Sequence, residues 1–154
     1  MVQRVIINSA AGAVVSISAS LPATYDASGY GATTIVYTAI GEVETFGEHG
    51  VTAVVTEFTD VATSTVTKVK GAKNYGTKSL VIGGIPGNAG QIILAAASES
   101  SNRYSVKITY QDTSIQYLDV LGSKYTQTDG EAKDVQKMNC DFAICRKPTI
   151  VAQA

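Results

Sequence analysis

The chain has 154 residues, a length that fits one domain, and 45% of them are hydrophobic, which is enough to form a core. Only 16% are charged, against about 25% in an average soluble domain, and the net charge is −1. These values exclude a strongly basic nucleic-acid-binding protein, and no apolar run reaches the roughly 20 residues of a membrane-spanning helix. A sparsely charged surface suits a protein covered by copies of itself, although a secreted β-sandwich with a neutral surface is an alternative.

The few charges are distributed unevenly along the chain. Residues 1–67 contain one base and six acids, a net charge of −5, whereas residues 68–154 contain eleven bases and seven acids, a net charge of +4. Two parts of opposite sign permit head-to-tail contacts between identical subunits. A fold that interleaves the two parts would cancel this asymmetry, and the sequence does not decide between these outcomes.

The N-terminal part of the chain is small and apolar. Residues 1–20 predict an N-terminal arm and then a first strand, from the runs VII and VVSI. Residues 22–31 (PATYDASGYG) predict a loop from their Pro, Asp, Ser and Gly content. Tyr25 and Tyr30 lie in this loop, where they either pack against a neighbouring molecule or cover the end of their own barrel.

The longest β-forming stretch runs from residue 33 to residue 70. Its first part alternates imperfectly, which predicts that Glu42 and Glu44 share one face of a strand. Residues 47–50 (GEHG) predict a bend. The Thr/Val-rich segment that follows has too few large apolar side chains to be held in place by its own burial. We therefore predict an extended hairpin at about 46–67 that becomes fixed when chains assemble.

One helix is predicted, at about 88–99. Asn88 is a suitable N-cap, and Gln91 follows three residues later as in a capping box. The glycines of residues 83–90 (GGIPGNAG) superficially resemble a phosphate-binding loop, but no Gly-Lys-Ser/Thr follows, so they indicate a strand-to-helix connection. The other predicted elements are strands at 77–82, 103–111, 114–121 and 134–145, a polar loop at 126–133 and a loose tail after Pro148.

This order of elements predicts a mainly β fold. In the strand at 103–111 the residues Tyr104, Val106, Ile108 and Tyr110 face one way, and in the last strand Met138, Cys140, Phe142 and Ile144 face inward. Some seven to nine strands with one flanking helix are typical of a β-sandwich or barrel, here as a single domain over 1–154.

Residues capable of catalysis are few. The only histidine, His49, lies beside Glu48 in the predicted bend and is interpreted as an exposed loop residue. Cys140 and Cys145 are five residues apart on one predicted strand, so they point to opposite faces and cannot bridge within it. With a single histidine a zinc site is not supported, and the thiols are interpreted as reduced. The sequence favours no enzyme, no metal and no cofactor.

In its order of features the chain resembles the major tail tube proteins of phages with long, flexible, non-contractile tails. The most specific match is PATYDASGYG at 22–31 followed by IGEVETFGE at 40–48. The likeness continues through the Thr/Val hairpin, the PGNAGQ helix start and the paired strands, and covers nearly the whole chain. It implies stacked six-membered rings that form a hollow virion tube, through which DNA passes into the host, without a C-terminal immunoglobulin-like domain.

The resemblance also implies partners and surfaces. The chain would contact copies of itself, the tape measure protein, the tail terminator and distal tail proteins, and would be made in the host cytoplasm. A wall that conducts DNA should bind it poorly, so Glu42, Glu44 and Asp141 are predicted to face the lumen. Contacts between rings are predicted for Arg4, Glu48, His49, Phe58 and Asp60. Two alternatives are a carbohydrate- or protein-binding β-sandwich that stays monomeric, and the tube protein of a contractile injection system.

Overall fold

The computed structural model describes residue 7 and residues 9–152, in which two separate sheets are found. The elements in chain order are β1 (Val14–Ser18), α1 (Ala27–Tyr30), β2 (Thr38–Ala39), β3 (Val43–Thr45), β4 (Thr52–Thr59), β5 (Val66–Asn74), β6 (Thr77–Gly83), α2 (Ala89–Glu99), β7 (Tyr104–Thr109), β8 (Ile115–Thr128), β9 (Lys137–Ile144) and β10 (Thr149–Val151). Strands β4 and β5 form a two-stranded sheet of their own. The other eight form one sheet in the order β2-β1-β7-β8-β9-β6-β3, with β10 beside β8. The predicted arm, with Arg4, lies almost wholly outside the described residues.

The large sheet curls until its two edges are only a short connection apart. Its edge strands β2 and β3 are consecutive in the chain, separated by residues 40–42. The buried Gln91 of α2 fastens this junction: its Nε2 donates to the carbonyl oxygens of Gly41 (3.2 Å) and Gly83 (2.8 Å). Its Oε1 accepts from the backbone N–H of Ile85 at 2.9 Å. One side chain thus satisfies three buried backbone groups where the sheet closes.

The core lies inside the curl, between the concave side of the sheet and α2. The alternations predicted for residues 103–111 and 134–145 are confirmed, since their inward side chains belong to this core. Its fully buried members are Val15, Ile17, Leu80, Ile82, Leu94, Val106, Ile108, Leu118, Val120, Cys140 and Phe142. The predicted class, a β-barrel-like fold with a flanking helix and a long hairpin, is confirmed by this arrangement.

The helix α2 packs closely onto the sheet through glycines. It begins as predicted, with the Asn88 side chain accepting from the backbone N–H of Gln91 at 3.1 Å. A Cβ at Gly90 would overlap the carbonyl of Ala39, and one at Gly122 would lie 2.8 Å from the carbonyl carbon of Ala97. Both positions therefore need glycine for close approach rather than for a special backbone conformation.

The C-terminal half of the chain contains more strand than the sequence predicts. Strand β8 continues to Thr128, so the predicted loop at 126–133 begins later, because β9 supplies a partner for each of these residues (Thr126 pairs with Asn139). The predicted loose tail after Pro148 is wrong: residues of β10 pair with β8, with Thr149 opposite Tyr117. A three-residue strand carries too little pattern to be recognised locally.

The predicted loop at 22–31 contains a single-turn helix, α1. Asp26 caps it by accepting from the backbone N–H of Gly29 at 2.7 Å, and this hydrogen bond is the largest cause of the lowered pKa of Asp26. Tyr30 is buried and its ring stacks on Tyr117 at 5.1 Å, whereas Tyr25 remains partly exposed at its edge. Of the two possibilities for the tyrosines, the packing inside this chain is therefore the one that holds for Tyr30.

The long β-forming stretch divides differently from the prediction. The hairpin occupies 52–74 instead of about 46–67, and residues 46–51, between β3 and the hairpin, form no regular element. Glu42 and Glu44 do not share a strand face, because β3 begins only at Val43 and Glu42 has a left-handed backbone with φ 59°. Such a conformation is uncommon outside glycine, and a β-favouring sequence gives no sign of it.

Candidate assembly surfaces

Residues that could perform chemistry are sparse in the described part of the chain. No group of three or more His, Cys, Asp or Glu side chains there could hold a metal ion. None of the helices in that part is long and apolar enough to cross a membrane. Both cysteines are free thiols, and burial raises the pKa of Cys140 to about 12, which leaves it unreactive at neutral pH. The unusual features of the molecule lie instead on three surfaces.

The first surface is the hairpin formed by β4 and β5. Every residue of the two strands is exposed except Ala53, which is half-buried. Its large apolar side chains include Val54 and Phe58, which are 63% and 67% exposed. A two-stranded hairpin with no core of its own is only marginally stable in water. The hairpin therefore presents apolar area that nothing in the described chain covers.

The strand register gives the hairpin two different faces. Thr56 lies opposite Val69, Glu57 opposite Lys68 and Phe58 opposite Thr67, so neighbouring pairs alternate between the faces. One face, the uncharged face, consists of Thr52, Val54, Thr56, Phe58, Thr67, Val69 and Asn74. The other, the charged face, consists of Ala53, Val55, Glu57, Thr59, Val66, Lys68, Lys70 and Lys73. All the charges of the two strands are thus on one side.

The tip of the hairpin is built around Asp60. Its carboxylate accepts from the backbone N–H of Ala62 (2.9 Å) and the hydroxyl of Thr63 (3.2 Å). Its own backbone N–H donates to the carbonyl of Thr65 at 3.0 Å. Asp60, predicted to contact a neighbouring ring, is thus used inside this turn, whereas Phe58 beside it is exposed. Whether either contacts another ring stays a prediction.

The second surface lies at the base of the hairpin, where the segment 46–51 carries His49. Lys78 Nζ donates to His49 Nδ1 at 3.2 Å, so Nδ1 must be unprotonated. The proton is then on Nε2, which donates to Gln116 Oε1 at 2.5 Å. Burial lowers the pKa of His49, and the nearby Lys78 charge lowers it further. The interpretation of His49 as an exposed loop residue is therefore wrong, while Glu48 beside it is exposed.

Lys78 itself is unusual, because it is only 2% exposed. Burial lowers its pKa to about 8, and no acidic side chain pairs with it among the described residues. Next to it, a groove of about 380 Å³ separates the hairpin base from β10. We call this groove the lysine pocket; it is lined by Lys70, Lys73, Lys147, His49, Tyr75 and Gln116 together with Gly50, Val51, Pro148 and Ile150, with no carboxylate among its lining residues.

An acidic loop lies at the other end of the sheet. Residues 129–134 connect β8 to β9 and contain three acids and one base, all exposed. Asp134 orders the loop by accepting from the backbone N–H of Glu131 at 2.8 Å. In strand β6, Thr77 at the hairpin end pairs with Ala143, and Gly83 at the other end pairs with Lys137 beside the loop. The acidic loop and the lysine pocket are therefore a strand length apart, roughly 20 Å.

The third surface is the polar face, the outward side of β6, β8 and β9. It consists of Thr77, Ser79, Val81, Lys124, Thr126, Thr128, Lys137, Asn139, Asp141 and Ala143, with Asp141 directly opposite Lys124 in the register. Glu44 joins it through an ion pair in which Lys137 Nζ lies 2.8 Å from Glu44 Oε2. Glu42 is not part of it and lies beside Gly83, at the end of β6. The structure thus brings Glu44 and Asp141 onto one side of the molecule, and whether this side faces a lumen stays a prediction.

A buried acid that sequence reasoning missed lies on strand β8. Asp119 is 1% exposed, and its Oδ2 accepts from Arg103 and Arg146, each at 3.1 Å. Its Oδ1 has no partner among the described residues. The Arg146 guanidinium also lies 3.8 Å from the ring centre of Tyr25. Its partners Arg103 and Arg146 are 16 and 27 residues away in the sequence, so the local pattern carries no signal for this buried acid.

Comparisons with known proteins bear on the fold. No protein-family model matches the chain, and no curated protein sequence matches it. Solved structures do match: an extracellular contractile injection system sheath/tube terminator superposes with a TM-score of 0.67 at 13% identity, over 99% of this chain and 100% of that one. The tube-terminating cap of the anti-feeding prophage gives 0.60 at 11% identity, over 99% and 95%. The SPP1 tail tube gives 0.60 at 12% identity, over 90% and 75%.

The chain has a tail-tube fold. At these identities the likeness concerns the path of the chain and its curled sheet, not the individual residues. Among the described residues, the hairpin, the lysine pocket and the polar face are exposed surfaces of this fold.

Proposed function

We propose that this chain is a structural subunit of a tail tube, whose copies assemble as stacked six-membered rings around a channel for DNA. The observation that carries the proposal is the hairpin, with two strands exposed on both faces and an apolar, uncharged side. In a free monomer Val69 is 59% exposed, so it contributes little hydrophobic stabilisation. Burial of this side chain against another copy would stabilise the hairpin and its partner together. The match to the SPP1 tail tube supports the same role.

The hairpin is the element proposed to join neighbouring copies. A contact between unlike surfaces of identical subunits propagates as a ring or a filament, as tube growth requires. Phe58 and Val61 near its tip, 67% and 96% exposed, would enter the adjacent ring, with Glu48 and His49 near the base of the contact. The other tail proteins named by the resemblance, the tape measure protein, the terminator and the distal tail proteins, would bind the ends or the lumen of the tube in the virion.

The polar face is proposed to line the channel. Its two acids, Glu44 and Asp141, are balanced by Lys137 and Lys124, so the wall would be close to neutral rather than strongly acidic. A neutral wall of small polar side chains offers DNA no cluster of cations to bind. Replacing Glu44 and Asp141 by Lys should slow DNA ejection from a virion, and unchanged ejection kinetics would remove both residues from the lining.

The experiment that tests the tube is electron microscopy of the purified, concentrated protein. We expect hollow tubes with a regular ring repeat. A matched variant replaces residues 53–73 by a short Gly-Asn turn, which leaves β6 and its core contacts intact. It should remain folded by circular dichroism and stay monomeric; tubes of normal length from this variant would refute the role of the hairpin.

A terminating subunit is the second candidate, because the chain and the contractile-system terminator cover each other almost completely. This candidate predicts single rings that do not stack at any concentration. The same electron microscopy experiment distinguishes the two candidates, because a tube protein forms long stacks of rings. Monomers that bind an immobilised glycan would instead support the carbohydrate-binding β-sandwich.

A further inference from the structure

We propose that the lysine pocket receives the acidic loop of a second copy of this chain, so that copies join head to tail along the sheet direction. The proposal rests on the proposed function, since it names the axial contact of the tube. The groups that would bind in the pocket are the carboxylates of residues 129–134 of the second copy.

The pocket has the composition of a carboxylate site. Three exposed ammonium groups, from Lys70, Lys73 and Lys147, surround one groove, and none of them has an acidic partner among the described residues. The groove floor holds His49, behind which the buried Lys78 adds a fourth positive charge. Because that charge is shielded from water, it acts on the groove more strongly than a surface lysine would.

The neutral state of His49 also fits this site. Its Nδ1 accepts a hydrogen bond from Lys78 and its Nε2 donates one to Gln116, so both ring nitrogens already have partners. The histidine therefore stabilises the groove, and an incoming carboxylate would bind to the lysines. No acidic side chain lines the groove. The site is therefore incomplete in one copy, and an incoming acid would supply the missing charge.

The acidic loop has the matching features. Asp129, Glu131 and Asp134 are exposed, and the internal bond from Asp134 to the backbone of Glu131 holds the loop in one shape. Lys133 pairs only loosely with Glu131, at 3.6 Å and with both side chains largely exposed. A shaped loop loses less conformational entropy on binding than a disordered one.

The position of the two surfaces makes the contact repeat. They lie at opposite ends of strands β6 and β9, as the pairs Thr77–Ala143 and Gly83–Lys137 show. A contact between opposite ends of identical subunits cannot close within a dimer and leaves a free pocket and a free loop on every stack. The charged groups of both surfaces lie within residues 68–154, so the contact does not use the charge difference between the two parts of the chain, which the fold partly cancels through the ion pairs Lys68–Glu57 and Lys137–Glu44.

The test exchanges the charges of the two surfaces. A pocket variant carries Lys73→Glu and Lys147→Glu; a loop variant carries Asp129→Lys and Glu131→Lys and keeps Asp134. By sedimentation velocity at low salt, each variant alone should need about tenfold or more protein to associate, because like charges then meet. An equimolar mixture should restore association, because each variant is complementary to the other. The control, Lys107→Glu with Ser101→Glu and Asn102→Glu, makes the same net-charge change as the pocket variant at positions outside both surfaces and should behave as wild type.

Zero-length carbodiimide cross-linking of a mixture of ¹⁴N and ¹⁵N protein identifies the contact. Mixed-isotope peptides joining 129–134 to Lys70, Lys73 or Lys147 are expected. The proposed contact would be overturned if the single variants associated like wild type, or if their mixture stayed dissociated. If wild-type protein still formed tubes in that case, the tube function would stand without this contact. Head-to-tail cross-links in the absence of tubes would keep the contact and remove the tube.

Discussion

The eight-stranded sheet and the two-stranded hairpin are built from the same residue types but are stabilised in different ways. In strand β9 the alternate residues Cys140, Phe142 and Ile144 are buried in the core. In strand β5 all nine residues are exposed. Strand β5 has three β-branched residues and three lysines, and strand β9 has one β-branched residue, one lysine and one aspartate, so β-propensity alone does not predict which of the two is buried. What separates them is whether the alternate side chains are large enough and placed to fill a core.

This difference distinguishes the residues that stabilise the fold of one chain from the residues that are available for association between chains. The sheet obtains its free energy of folding from burial inside one chain, whereas the hairpin has apolar area that only a second molecule can bury. Substitutions in the sheet should therefore change unfolding, and substitutions in the hairpin should change association. The predictions below test this separation, beginning with the largest effect on the free energy of unfolding.

The largest effect is expected in the core of the sheet. Replacing Leu118, which is fully buried, by Ala should lower the free energy of unfolding by about 2–5 kcal/mol, through lost burial and the cavity left behind. Urea unfolding followed by circular dichroism measures it. Val61→Ala, at the hairpin tip and 96% exposed, is the matched control and should stay within about 0.5 kcal/mol of wild type. Equal losses for both would contradict the separation.

The next effect concerns the closure of the sheet. Gln91→Leu leaves the N–H of Ile85 and the carbonyls of Gly41 and Gly83 without their partner. We expect a loss of roughly 3 kcal/mol, because buried unpaired backbone groups are costly. Gln136 is an exposed glutamine that lines a surface groove together with Gln91. The control variant Gln136→Leu should leave the free energy of unfolding, measured by urea titration, almost unchanged. A neutral Gln91→Leu would mean that the edges are held by other contacts.

A much smaller effect on unfolding is expected for the uncharged face of the hairpin. Phe58→Ser with Val69→Ser should change the free energy of unfolding of the monomer by about 0.5 kcal/mol or less, yet abolish tubes in the microscope, because the change removes apolar area only from the contact. The control is the same exchange on the charged face, Val55→Ser with Val66→Ser. Loss of tubes in both variants would show that the two faces are not distinct in function.

The smallest effect is a pH dependence at the base of the hairpin. Because the pKa of His49 in the folded chain lies below its ordinary value, the unfolded chain binds more protons near pH 6. Stability should therefore decrease as the pH falls through about 6.5. The charged groups that face His49 and the lysine pocket are Lys78, Lys70, Lys73 and Lys147. Their positive charges all disfavour protonation of His49.

Urea midpoints at pH 7.5 and 5.5 measure this dependence. His49→Gln keeps a polar side chain without a titrating group and should remove the difference between the two midpoints. If the His49→Gln protein retained the whole difference, the decrease would have to come from carboxylates.

The sequence predicts the parts of the fold that depend on neighbouring residues. The alternation at 103–111 places Val106 and Ile108 in the core, and Asn88 with Gln91 marks the start of the helix correctly. It does not predict features that depend on distant pairs. His49 and Gln116 are 67 residues apart, and β10 exists only because β8 lies beside it. Glu42 was misplaced because a left-handed residue interrupts an otherwise regular pattern.

The candidate surfaces show the same limit. A hairpin without a core can be recognised from its Thr/Val composition, although its second strand extends to Asn74 because lysines can occupy an exposed face without cost. The lysine pocket was not predictable, since its members come from the hairpin, β8 and the C-terminal segment. Local pattern thus predicts which segments form strands, and only the pairing of strands reveals which charges meet.

The short connection between β2 and β3 has one more consequence. Since residues 40–42 join both edges of the large sheet, a single proteolytic cut there would release two edge strands together. Released edges expose rows of unpaired backbone groups, which are templates for unplanned strand addition. Buried Ile40 and the bond from Gln91 to Gly41 keep this peptide away from a protease. The contacts of Ile40 and Gly41 thus keep the connection between the two edge strands in place.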